Sequence, residues 1–238
     1  MIKIVISQPM LFPWVGLLEQ IQLADIYVHY DDVQFSKGSF VNRVQIKTVD
    51  GSKWLTVPLE SIKLGQEIRE VRLNSRQNWR ESHLNLLKQV YMKAPYKQDM
   101  LDLVSYVYTQ PATTICDLSI NSIAAICKYF NLAKPDKFLY SSKLGLIGKS
   151  SERVLDVVKY LNGSIYITGN GAKNYLDHFL FEDSNIKVEY MNYLKNIYPQ
   201  LYGEFTPYVS TLDLIANVGT AGKEFINSET IYWKEAIK

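Results

Sequence analysis

The sequence predicts an α/β fold on a mostly parallel sheet, and three opening features carry that expectation. Ile2 to Ser7 reads as a buried strand. Trp14, Leu17, Leu18, Ile21 and Ala24 mark the apolar face of a helix, and Asp25 to Tyr30 reads as a second strand. Strand, helix, strand over about thirty residues is a βαβ unit, which makes the two strands parallel. Pro13 suits the first helical turn, where its missing N–H costs nothing.

The remaining elements follow in order. Phe40 to Lys47 and Lys53 to Leu59 read as a β-hairpin about the turn Asp50-Gly51. Ile68 to Leu73 is expected to add a strand. Helical spacing recurs over Asn78–Met92 and Thr113–Phe130, giving a helical middle section. Alternation then returns with a strand at Lys137–Tyr140, a helix at Ser151–Leu161 and a strand at Ser164–Thr168. Gly169-Asn170-Gly171 leads into a short helix, a strand follows at Ile186–Tyr190, and a helix over Tyr208–Val218 precedes a ragged tail. Without repeats, linkers or low-complexity stretches, residues 1–238 are expected to form a single domain.

Composition narrows the classes. Of 238 residues, 47% are hydrophobic and 21% charged, as in an ordinary globular protein. No run approaches the roughly 18 apolar residues of a membrane helix. Cys116 and Cys127 lack partners at metal spacing and read as buried thiols of a reducing compartment, so a cytoplasmic location is expected. A net charge of +2 does not demand nucleic acid. Seventeen tyrosines and four tryptophans exceed what packing needs. Rings that pack while presenting hydroxyls suit a sugar-like or nucleotide-like ligand, or an aromatic core with hydroxyls at its rim.

Four segments can carry chemistry. The loop Gln8 to Gly16 leaves the first strand at the sheet edge where α/β proteins bind ligands; Gln8 can donate and accept, and Trp14 can stack on a base or sugar. Its alternative role is to shape the turn and plug the core. Asp31 and Asp32, with Gln34 after them, follow the second strand at the same edge. Such carboxylates take a proton from an attacking amine, hold a metal or bind sugar hydroxyls, unless they are solvated turn residues. Asn42, Arg43 and Lys47 lie on the hairpin, the two cations sharing a face suited to a diphosphate or a carboxylate, or simply to water. His83 sits four residues after Trp79 on an apolar helix face, either as a general base or as a core-edge histidine. No Gly-x-Gly-x-x-Gly, phosphate-binding Walker loop, Gly-x-Ser-x-Gly or zinc pattern occurs, and no cofactor is identified.

A longer, ordered set of motifs resembles the WbqC-like family of bacteria. It comprises Ser7-Gln8-Pro9, Phe12-Pro13-Trp14-x-Gly16, Ala24-Asp25-x-Tyr27-Val28, Asp31-Asp32-Val33-Gln34-Phe35, Asn42-Arg43-x-x-Ile46-Lys47 and Trp54 to Pro58. His83, Tyr91 to Tyr96, Tyr166 to Leu176, Tyr198-Pro199-Gln200, Phe205-x-Pro207, Ser210-x-x-Asp213-Leu214 and Asn217-x-Gly219 continue it. The resemblance implies a place in O-antigen, lipopolysaccharide or other surface-polysaccharide biosynthesis, and an N-acyl or aminoacyl (glycyl) transferase acting on a nucleotide-linked amino sugar. In that role Arg43 and Lys47 would meet the diphosphate, Trp14 the rings, and Asp32 or His83 the amine proton. The activated acyl donor (carrier protein, charged tRNA or coenzyme A thioester) is left open. The opening is Rossmann-like or nucleotidyltransferase-like, but the latter's His-x-Gly-His is missing. The alternative function is a non-catalytic sugar-nucleotide-binding or scaffold protein. An acid or His83 within reach of the Gln8 loop would separate the two.

Overall fold

The computed structural model describes residues 1–133 and 135–237. In chain order the strands are β1 (Lys3–Ser7), β2 (Ile26–His29), β3 (Arg43–Thr48), β4 (Gly51–Thr56), β5 (Phe138–Tyr140), β6 (Ile165–Thr168), β7 (Lys187–Asn192) and β8 (Glu229–Tyr232). The helices are α1 (Val15–Leu23), α2 (Trp79–Val90), α3 (Lys97–Thr109), α4 (Ile115–Phe130), α5 (Ser150–Tyr160), α6 (His178–Asp183), α7 (Thr211–Val218) and α8 (Trp233–Ala236).

One sheet runs β5-β2-β1-β6-β7-β8, and each pairing is parallel except β7 with β8. This is the α/β, mostly parallel architecture expected from the opening residues. If only the strands of this sheet are counted, their order is 3-2-1-4-5-6. The chain winds one way from β1 through β2 to β5, then crosses back to β6. Ligands of such sheets gather beyond the carboxyl ends at that reversal, here between β1 and β6.

Short apolar runs form these strands because both faces are covered. Val5, Tyr27 and Ile167 pack towards α1, α4 and α7, while Ile4, Ile6, Val28, Tyr166 and Val188 pack towards α5 and α6. The hairpin β3–β4 stands apart from the large sheet and joins the first of these cores through Val44, Ile46 and Leu55. Its tight turn places Thr48 opposite Gly51, whose φ of +101° is a conformation that favours glycine.

Three expectations need correction. Ile68–Leu73 is not a strand: Ile68–Glu70 is a 3-10 turn capped reciprocally by Glu67 and Glu70. The N–H groups of Ile68 and Arg69 donate to the carbonyls of Val33 and Asp31, so they are spent on a loop rather than a ladder. The sequence reading missed α3, although Met100, Leu103, Val104, Val107 and Tyr108 recur along its buried face. The tail is ordered as β8 and α8, because β8 covers the edge of β7.

The loop from β1 to α1 is held from far along the chain. Phe12 is fully buried with φ +37°, an uncommon conformation for a bulky residue. Its N–H donates to Ser122 Oγ on α4 (2.9 Å), and its carbonyl accepts from Ser210 Oγ (2.7 Å). Thr211 Oγ1 and N–H both donate to the Pro13 carbonyl, at 2.6 and 2.8 Å. Ser210 also caps α7 by accepting from Leu212 N–H. Ser210→Ala therefore leaves a buried carbonyl and a helix-end N–H without partners. It is expected to lower unfolding free energy by about 2 kcal/mol in urea denaturation; an unchanged midpoint would show that the clamp contributes nothing.

Candidate functional site

A cavity of about 860 Å³ opens at the reversal point of the sheet, within the usual range of small-molecule sites. The ends of β1 and β6 supply its floor through Ser7, Gln8, Thr168 and Gly169. From α1 comes Gln20, and from the start of α5 come Ser150 and Val154. Met191, Asn192 and Tyr193 arrive from the end of β7.

Aromatic rings shape the wall. Trp14 lies edge-on to Tyr193, with centroids 4.9 Å apart, and Tyr208 closes the group at 5.8 Å from Trp14. Trp14 folds back over Gly16 so closely that a Cβ there would sit 2.2 Å from its ring. That contact is the physical content of the Trp14-x-Gly16 pattern. Tyr30, Tyr166 and Tyr175 line the opposite, α5 side. Of the charged side chains, Lys195 reaches the lining, poised over the Tyr208 ring. Gln20 is only 8% exposed, yet its amide bonds to no described protein group, so its donors and acceptor are free for a ligand.

The residues singled out from sequence divide sharply. Gln8 and Trp14 line the cavity. Asp32 does not: its Oδ2 is ion-paired with Arg153 Nη2, and Oδ1 is bonded by Ser141 Oγ. Asp31 is buried, accepting from Ser142 N–H (3.0 Å) and Ser142 Oγ (2.6 Å). Gln34 is exposed and bridges Glu67 through its backbone. Asn42 closes the hairpin by donating to the Val57 carbonyl (3.0 Å). Arg43 donates to the Gly38 carbonyl and stacks 4.1 Å over Trp54. Lys47, 4% exposed, donates to Gln200 Oε1 (3.1 Å) and to the Gly203 and Glu204 carbonyls. Of Gln8, Trp14, Asp32, Asn42 and Arg43, the cavity thus brings together only Gln8 and Trp14. Buried Lys47 satisfies carbonyl groups that packing would otherwise strand, whereas the Arg43 bond to Gly38 is exposed.

His83 lies elsewhere, in a separate hollow of about 260 Å³ with Thr56, Pro58 and Trp79. Nε2 is 3.0 Å from the Thr56 carbonyl, which only accepts, so Nε2 carries the proton and Nδ1 accepts from Tyr108 OH at 2.9 Å. Burial lowers its pKa from 6.5 to about 4, against the opposing pull of that carbonyl. Both nitrogens are engaged within the fold.

Sequence reasoning missed Gln20, Tyr30, Ser150, Thr168, Asn170, Tyr193 and Lys195. The excess of tyrosine was the signal for the aromatic wall. The strand order β1-β6-β7 and the seating of α5 place the others. Glu19, beside Gln20 on α1, is fully buried, and both its carboxyl oxygens lack a partner among the described residues. The neighbouring Ser228 hydroxyl donates instead to the Asn192 carbonyl (2.7 Å). Burial raises the Glu19 pKa from 4.5 to about 8, which keeps the carboxyl protonated at neutral pH.

The WbqC-like protein family model matches residues 8–225. A relative in Mycobacterium tuberculosis, named Uncharacterized protein Rv1507c, is 30% identical over 227 residues, covering 94% of this chain and 97% of the relative. No solved structure matches. No helix among the described residues is long and apolar enough to cross a membrane.

Two pH predictions follow from the burial of these groups. A histidine with a depressed folded pKa stabilises the fold above 6.5, and that contribution is lost as pH falls towards 4. His29, also lowered to about 4 by burial, acts in the same direction. His83→Gln should therefore reduce the slope of stability against pH between 6.5 and 4 by at most about 1.4 kcal/mol per pH unit. Identical slopes in urea melts of the two proteins would remove His83 from the account. For Glu19 the sign reverses: the raised folded pKa favours the fold below 4.5, and the advantage drains away as pH rises to 8. Glu19→Gln should gain stability relative to the parent over that interval, and parallel stability curves from pH 5 to 9 would contradict it.

Proposed function

This chain belongs to the WbqC-like protein family, and we propose that its cavity binds a nucleotide-linked amino sugar of surface-polysaccharide biosynthesis. The observation that carries the proposal is the cavity wall. Trp14, Tyr193 and Tyr208 offer ring faces, while Gln8, Gln20, Asn170 and Asn192 offer amides. Flat rings with amides between them match a base and a sugar, whose faces are apolar and whose edges are polar. Lys195 at the rim adds a positive charge for an anionic ligand.

Binding is the part of the family's suggested activity that this wall supports. Amide-forming transfer onto the sugar amine, whether of glycine or another acyl group, needs a proton acceptor at the amine. Asp32 is paired with Arg153 and His83 is engaged in another hollow, so neither favours that step in this arrangement. The reading adopted is therefore a sugar-nucleotide-binding protein, with transfer as the outcome that would extend it.

Titration calorimetry with UDP-N-acetylglucosamine and other nucleotide amino sugars tests the reading. Gln20→Leu keeps the side chain's bulk and removes its amide. It should weaken binding by about 1 kcal/mol, roughly fivefold, with an unchanged melting temperature because the amide, in a side chain only 8% exposed, has no partner among the described residues. Absence of binding across the panel would overturn the proposal. Mass-spectrometric detection of an acylated sugar, with an activated glycine donor present, would convert binding into catalysis.

A further inference from the structure

We propose that the α5 side of this cavity is a phosphoanhydride subsite, set between the N-terminus of α5 and the turn Gly169–Gly171. The inference rests on the cavity being a nucleotide-sugar site and says where the diphosphate lies. It displaces Arg43 and Lys47 from the role that the sequence suggested for them.

Four observations converge. First, α5 is an eleven-residue helix whose first residue, Ser150, lies in the cavity wall with φ +55°. The N-cap, Lys149, makes no side-chain cap, and the N–H groups of Ser150, Ser151 and Glu152 have no hydrogen-bond partner among the described residues. Such a helix start attracts an anion through free donors and the positive end of the helix dipole. Second, the opposite wall is backbone that a ligand can approach closely: a Cβ on Gly171 would meet nothing within 4 Å. Third, Gln20 is more than nine-tenths buried and unpartnered, with its amide nitrogen 3.1 Å from where a Gly169 Cβ would stand. Its donors are thus directed at the same turn from the α1 side. The open backbone at Gly171 and the crowded position at Gly169 together suit the Gly169-x-Gly171 spacing to this role.

The fourth observation is charge. Asp32, at the same sheet edge, would repel a phosphate if it were free, but Arg153 neutralises it. Arg153 belongs to the first turns of α5, lies over the ring of the wall residue Tyr30 (5.2 Å) and keeps a buried Nε without a partner. Glu152 is exposed, and the charged residue of the lining, Lys195, is a cation. The region is therefore positive through the helix end together with Lys195, without a cluster of basic side chains, which is why composition gave no hint of it.

The test is calorimetric titration of the full chain with inorganic pyrophosphate, uridine, UDP and UDP-N-acetylglucosamine. Ser150→Asp places a carboxylate at the helix start, where it favours the helix, so the melting temperature should not fall. Gly171→Asp places one on the facing turn, in open space, as an independent arm. Pyrophosphate and UDP are expected to bind the parent, each aspartate should weaken both by about tenfold through like-charge repulsion, and uridine binding should change less than about twofold. Unchanged pyrophosphate and UDP affinity in either folded aspartate variant, with UDP-N-acetylglucosamine still bound by the parent, would overturn the subsite alone. A parent that binds none of the four probes would overturn the reading of the cavity with it.

Discussion

The left-handed turn at Phe12 is the constraint from which the site follows. A buried aromatic residue at positive φ costs on the order of 1–3 kcal/mol and persists only when its surroundings over-determine it. Here the surroundings are two serine hydroxyls, Ser122 from α4 and Ser210 from the start of α7, which satisfy its N–H and its carbonyl. Thr211 does the same for the next carbonyl, at Pro13. Once the chain is fixed through Phe12 and Pro13, Trp14 can lie back over Gly16 only because that residue has no Cβ. The ring then meets Tyr193 and Tyr208, and the aromatic wall is complete. A local backbone conformation, secured by contacts from the middle and the end of the chain, therefore sets one side of the cavity.

The segment inserted between β2 and β5 solves a different problem. Its hairpin gains no hydrogen bonds from the large sheet, so it docks through buried apolar residues and polar side chains that reach backbone groups. Lys47 collects the carbonyls of Gly203 and Glu204, and Asn42 collects that of Val57. Nearby, Asp213 accepts from Tyr91 OH (3.1 Å) and Tyr198 OH (3.0 Å). Burial raises its pKa to about 6, and those hydrogen bonds oppose the rise. Buried polar groups are tolerable only when each is satisfied. Several motif residues are accordingly spent on joining the insertion to the Tyr198–Thr206 loop and α7.

The cavity itself is chemically mild. Its lining is built of rings, aliphatic side chains, amides, hydroxyls and backbone, with Lys195 as its charged residue. The carboxylates that follow β2 are absorbed by Ser141, Ser142 and Arg153 beneath the edge. That pairing leaves neither Asp31 nor Asp32 as a free negative charge at this edge, a condition suited to an anionic ligand. In the proposed role, recognition would depend on shape, stacking and neutral hydrogen bonds, with the start of α5 supplying polarity of the right sign.

The sequence by itself determined the class of fold and the sheet edge at which the cavity lies. Local apolar runs decide what is strand, helical spacing decides what is helix, and a βαβ opening admits one handedness, so β1, α1, β2 and the position of Gln8 and Trp14 were legible. The tyrosine excess likewise pointed to an aromatic site. Tertiary structure alone decided which polar residues face the cavity. Asp32 and Lys47 have the composition of a site, yet each is turned inward to a partner more than a hundred residues away, Arg153 and the Gly203–Glu204 backbone. Gln20 looks like an ordinary helix glutamine and lines the cavity only because β6 inserts beside β1 and brings Gly169 to it. A side chain's chemistry is local, but whether it is satisfied depends on the nearest donor or acceptor in space, and that neighbour is assigned by strand order.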